Sequence, residues 1–126
     1  MTRLHLTAKV VQQTFTGDLA SPKLGDRLIN NVELFDENGS KVGTGGAVCT
    51  IVSEPPLDTL VECLLSAHLD QGQIIFGGVA PFPAAGAVAH FGILGGSGTG
   101  HFRKARGVAK LVVLSTSDID SIFDLE

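Results

Sequence analysis

An all-β fold, eight short antiparallel strands running up and down and closing into one barrel, is what this sequence predicts, and three observations predict it. Sixteen glycines and five prolines cut the chain into short runs rich in Val, Ile, Leu and Thr. Those runs, at about 3–14, 26–36, 40–53, 59–69, 72–80, 87–94, 106–116 and 119–125, have similar lengths and no linker among them. Strong turn formers stand between several of them, as Asp36-Glu37-Asn38-Gly39, Glu54-Pro55-Pro56-Leu57-Asp58 and Asp70-Gln71-Gly72. No apolar stripe at helical spacing competes with this pattern.

Side chains alternate across a strand, so each run implies an inner and an outer face. In the first, Leu4, Leu6, Ala8 and Val10 face inward and Gln12 follows them, while Arg3, His5, Thr7, Lys9 and Gln13 face outward. The second sets Leu28, Asn30, Val32 and Leu34 against Arg27, Asn31 and Glu33. The third is apolar on both faces, and places Ala47, Cys49 and Ile51 together. Cys63, in the fourth, lies across a hairpin centred near Pro56 and faces the same way as Cys49. The fifth and sixth runs are again apolar on both sides, with Phe91 in the sixth; His90 beside it reads as a packed or interface side chain. The last sets Ile119, Phe123 and Leu125 against Asp118, Asp120 and Asp124. Strands apolar on both faces need an outer cover, and a second copy of the chain supplies one, so a homodimer or homotrimer is expected.

Strict up-and-down order sorts the connections between two ends. The 15–25, 54–58 and 81–86 loops and the Ser117 turn share one end, with Phe15, Pro55, Phe82 and Pro83 lining a mouth. The tight turns at 37–39 and 70–72 share the other end with the glycine-rich segment 95–100, which reads as a structural turn. A pocket with one mouth follows. Within it Gln12 and Asn30 are neutral amides on apolar faces, where an amide without a partner loses about 1–3 kcal/mol.

Composition narrows the function. At 126 residues the chain holds one core, hence a single domain over 1–126. A net charge of −4, with no basic run beyond Arg103–Arg106, argues against nucleic acid. No apolar stretch approaches the roughly 20 residues that cross a bilayer, so no membrane partner is expected. The opening residues lack the continuous apolar segment of a signal peptide, which points to the cytoplasm. Two cysteines are too few for a disulfide framework and match no zinc spacing; they read as buried reduced thiols, with a lumenal thiol touching substrate as the alternative. His and carboxylate spacing shows no metal site.

Gly98-Thr99-Gly100-His101-Phe102-Arg103-Lys104-Ala105-Arg106-Gly107 is similar to the G-G-T-G-x-F-R-x-A-R-G signature of plant dirigent proteins. Leu24-Gly25-Asp26, Glu33–Gly43 and Gly46-Ala47-Val48-Cys49 resemble allene oxide cyclases and their bacterial relatives, including spirotetronate cyclases that catalyse intramolecular Diels–Alder reactions on polyketides. The resemblance runs from about residue 24 to 116 and implies an eight-stranded calycin-like barrel. The plant cyclases carry a lumenal Glu in the first strand and an Asn in the strand after L-G-D; here Gln12 or Gln13, and Val32, stand nearest those places, and Cys49 matches their cysteine.

The resemblance implies a cyclase or isomerase that needs no cofactor and closes a ring in a hydrophobic, partly oxygenated polyketide-like intermediate, with [4+2] cycloaddition as one form. Asn30 and Gln12, then Cys49, are the candidate catalytic groups; Leu6, Ala8, Val10, Leu28, Val32, Leu34, Ala47, Ile51, Cys63, Phe91 and Phe123 are the candidate substrate wall. Two other readings stand beside it: a barrel that binds a small molecule without changing it, as dirigent proteins do, and a filled barrel with no ligand.

Overall fold

The computed structural model describes residues 2–126. Eight strands follow one another: β1 (Thr2–Phe15), β2 (Arg27–Phe35), β3 (Lys41–Ser53), β4 (Leu60–Leu69), β5 (Gly72–Pro81), β6 (Val88–Ile93), β7 (Gly107–Val113) and β8 (Asp118–Leu125). Each pairs antiparallel with the next, and β8 returns to β1, so the barrel closes. The fold expected from turn spacing and alternation is the fold observed. Among the described residues no helix is long and apolar enough to cross a membrane.

Alternation sends Leu28, Val32 and Leu34 of β2, Val61, Ala67 and Leu69 of β4, Ile74 and Phe76 of β5, and Ala109 and Leu111 of β7 into one shared core. At its centre Phe123 meets Phe76 edge to face at 5.0 Å, and Phe91 lies 6.2 Å from Phe76. Burying each such ring contributes about 1.5–3 kcal/mol, which makes this cluster the anchor of β5, β6 and β8.

One irregularity changes the reading of β1. The β1–β2 register slips between Val10 and Gln12: Val10 pairs with Val32, and the next pair is Gln12 with Asn31. A bulge of this kind inserts one residue and reverses the faces beyond it. Val11 is therefore exposed, Gln12 faces out, and Gln13, paired with Asn30, faces in.

The two ends close differently. At one, Asp36 accepts hydrogen bonds from the Asn38 and Ser40 amides in the β2–β3 turn. The glycine-rich segment lies against the β4–β5 turn there, with the His101 amide donating to the Gln71 carbonyl at 2.7 Å and Phe102 buried beneath it. A Cβ on Gly72 would stand 2.0 Å from the Thr99 carbonyl oxygen, so the glycines permit backbone contact that any side chain would block. At the other end the 16–26, 54–59, 82–87 and 114–117 connections gather, tied by the Leu24 amide donating to Glu54 at 2.9 Å.

Two features distinguish the wall. Pairing is thinnest between β5 and β6, where among the described residues Phe76–Ile93 and Gly77–Gly92 are the pairs in register. The β1–β8 seam carries polar pairs on its outer face: Arg3 forms an ion pair with Asp124, donating at 2.7 and 3.2 Å, and His5 hydrogen-bonds with Asp120 at 2.5 Å. The hydrogen bond from Arg3 holds the Asp124 carboxyl below the usual carboxylate range and raises Arg3.

Candidate functional site

The lumen opens among the long connections. Val10, Gln13, Leu28 and Asn30 form the upper wall of a space of about 180 Å³, with Leu19, Phe82 and Pro83 over it. Phe15 meets Phe82 edge to face at 6.2 Å. Below, a space of about 70 Å³ reaches towards the β5–β6 side along Ala80, Ala89 and Phe91, with Cys49, Cys63 and Leu65 on the opposite strands. A third, of about 50 Å³, lies deeper among Ala8, Val32, Leu34, Ala47, Phe123 and Ser121.

Asn30 and Ile119 border all three spaces. Asn30 sits where they meet because β2 is uninterrupted there, flanked by Gln13 of β1 and Ala47 of β3. Its Oδ1 is buried and has no hydrogen-bond partner. Directly paired inward residues hold their Cβ atoms about 4.5–5.5 Å apart, so the Gln13 and Asn30 amides form a neighbouring pair near the mouth. Ser121, 4% exposed, adds a hydroxyl at the deep end.

Among the described residues, no ionisable side chain lines any of these three spaces. The two cysteines there are joined to each other, Cys49 to Cys63, at directly paired positions of β3 and β4 whose Cα atoms lie 4.1 Å apart. Nor do any three His, Cys, Asp or Glu side chains among the described residues stand together to hold a metal ion. The lumen can therefore enclose an apolar molecule, desolvate it and offer it neutral hydrogen-bonding groups; it offers no side chain that gains or loses a proton near neutral pH.

Several expectations need correcting. Gln12 does not enter the lumen: it lies outside, its Oε1 accepting a hydrogen bond from Asn31 at 3.3 Å, because the bulge turns β1 over after Val10. Gln13 takes its place. Cys49 is not a free thiol that could touch substrate, and Cys63 is not a reduced partner; register brought them within bonding distance. Leu6 and Ile51 are each 2% exposed but fill the packed core and border none of the three spaces. Pro55 lies on the mouth's side of the barrel but is exposed and does not line the opening. His90 is not packed inside the barrel; it is exposed on the outer face of β6, and its reading as an interface side chain belongs with the assembly proposed below.

The remaining candidates divide by depth. Val10, Leu28, Phe82 and Pro83 lie at the mouth, Phe91 towards the β5–β6 side, and Ala8, Val32, Leu34 and Phe123 at the base, with Ala47 between. Ser121 was missed, although its place midway between Ile119 and Phe123 marks it as inward by alternation.

Residues 4–122 match the family described as the allene oxide cyclase barrel like domain. No curated protein matches the chain significantly. Among solved structures, one titled pyocyanin demethylase is similar over 99% of this chain and 100% of its own, at 25% identity and a TM-score of 0.85. AbnU, titled an exo-specific intermolecular Diels-Alderase, shares 16% identity with a TM-score of 0.81, covering 99% of this chain and 98% of its own. The Diels Alderase AbmU from Streptomyces koyangensis shares 18% identity with a TM-score of 0.78 over 99% of this chain and 68% of its own.

Proposed function

We propose that this chain, which belongs to the allene oxide cyclase barrel-like family, is an enzyme that closes a ring in a small hydrophobic, oxygen-bearing molecule held in its lumen. One observation carries the reading: three meeting spaces lined by apolar side chains and neutral polar groups, without an ionisable side chain among the described residues. A ring closure of the [4+2] kind forms its bonds without moving a proton, so it suits such a wall. The barrel acts by folding a flexible chain into its reactive shape, for which preorganisation supplies up to about 7–11 kcal/mol in favourable intramolecular cases. Gln13 and Asn30 hold an oxygen function of the substrate, and their fixed dipoles favour the charge that develops as bonds form. No cofactor enters this scheme. That one structural neighbour is titled a demethylase and others Diels–Alderases supports small-molecule chemistry in this barrel, on differing substrates.

The same proposal includes assembly. Outward-facing Ile29, Val48 and Leu64 pair in one row across β2, β3 and β4 and are 42%, 41% and 59% exposed. A second or third copy covers that row. The cytoplasmic setting expected from the sequence stays within the proposal.

The test is incubation of the protein with linear polyene intermediates that carry both a diene and an alkene, followed by mass spectrometry and NMR. Ring closure gives a product of unchanged mass with a new ring. Recovery of every bound candidate unaltered would make the barrel a binder that orients its ligand and nothing more.

A further inference from the structure

Asn30 has one more property, and it concerns which molecule fits. Its Oδ1 is buried and unpartnered, at the point where the three lumenal spaces meet. A buried acceptor left without a donor is destabilising, and native proteins keep few of them. The wall around it leaves it unbonded. Val10, Leu28, Ala47, Leu65, Leu111 and Ile119 present hydrocarbon only, and the polar groups that share the lumen, Gln13, Ser66 and Ser121, do not hydrogen-bond it.

We infer that Oδ1 of Asn30 is the docking point for an O–H or N–H group of the ligand, so that the lumen selects compact apolar molecules bearing one such donor, of the enol, phenol or cyclic amide class. This rests on the lumen being the ligand site proposed above. The direction of the hydrogen bond has a chemical consequence. An acceptor on a ligand hydroxyl leaves that oxygen more electron-rich, so the hydroxyl-bearing part becomes the electron-donating partner in ring closure. A donor on a ligand carbonyl would act on the opposite partner.

Three matched probes test it: 2-naphthol, which donates; 2-methoxynaphthalene, which only accepts; and naphthalene, which does neither. Their dissociation constants are measured on the wild type and on Asn30→Leu, which keeps the lumen apolar and removes the acceptor. The wild type is expected to prefer 2-naphthol to 2-methoxynaphthalene by about tenfold, the ratio one net hydrogen bond gives. In Asn30→Leu that preference falls to about one while naphthalene binds as well as before. The unliganded variant melts a few degrees higher, since the orphaned acceptor is gone.

An equal or greater wild-type affinity for 2-methoxynaphthalene would overturn the inference, as would a naphthol preference that survives Asn30→Leu. Naphthalene binding without discrimination would leave the lumenal site standing and remove only its donor selectivity. If none of the three probes binds either protein, the lumenal reading itself falls. Should Asn30→Leu fold poorly, the Asn30 side-chain ¹⁵N–¹H signals of the wild type serve instead. They are expected to shift further at saturation with 2-naphthol than with 2-methoxynaphthalene, which brings the same ring but no donor; equal shifts would overturn the inference.

Discussion

Breaking the Cys49–Cys63 bond gives a sharp test of how the mouth half of the barrel is held together. The two positions are 14 apart in sequence, directly paired on β3 and β4, and each cysteine is 7% exposed. A link closing a loop of about 15 residues restricts the unfolded chain by about 3 kcal/mol in the chain-entropy account. For a domain of this length that corresponds to a fall of roughly 10 °C in Tm on reduction. Because both cysteines are buried, the protein is reduced in denaturant and refolded with the thiols kept reduced. Circular dichroism melts then compare oxidised, reduced and Cys49→Ala/Cys63→Ala protein. The oxidised form is expected to melt highest, the other two close together and well below it. A thiol titration in denaturant should find two reactive groups after reduction and none before. Equal melting of oxidised and reduced protein, within about 2 °C, would refute the view that the bond stabilises the barrel.

Leu28→Trp puts an indole where the mouth space meets Asn30; it should abolish binding of naphthalene-sized probes, measured by calorimetry, while the strand content seen by circular dichroism stays unchanged. The Arg3–Asp124 pair should make stability depend on acid: Asp124 has a lowered pKa in the folded state, so its contribution is present above the unfolded carboxylate range and is lost as pH falls through the folded value. Denaturant midpoints measured against pH should therefore fall less steeply on acidification for Asp124→Asn than for the wild type. Light scattering at micromolar concentration should find two or three copies, and Leu64→Glu in the exposed row should shift the protein towards a single 13.1 kDa chain.

Much of this was legible because β-strands repeat every second residue. The inward set of β2, Leu28-Asn30-Val32-Leu34, follows from alternation alone, and so do the crowded ends, once the strands are taken to run up and down. The bulge in β1 was not legible. Val10-Val11-Gln12-Gln13 has no glycine or proline to mark an inserted residue, and only the pairing with β2 shows that the faces exchange. That single residue moved the lumenal amide from Gln12 to Gln13. The cysteines show a different limit. Their shared face could be read from the hairpin, but whether they bond depends on a Cα separation of 4.1 Å, which register and twist decide. Ser121 was hidden by its polarity: a serine between Ile119 and Phe123 breaks the apolar pattern that marks an inner face, although its position does not.

The central claim is that the lumen works through shape and neutral groups. The pH dependence of kcat/KM for ring closure, once a substrate is in hand, tests it most directly. A side chain acting as acid or base leaves its titration in that profile. With no ionisable side chain among the described residues lining the three spaces, the rate is expected to stay flat between about pH 6 and 9 wherever the protein remains folded. A bell-shaped profile, or a limb removed by changing a single His, Asp or Glu, would contradict the claim and identify that residue as the catalyst.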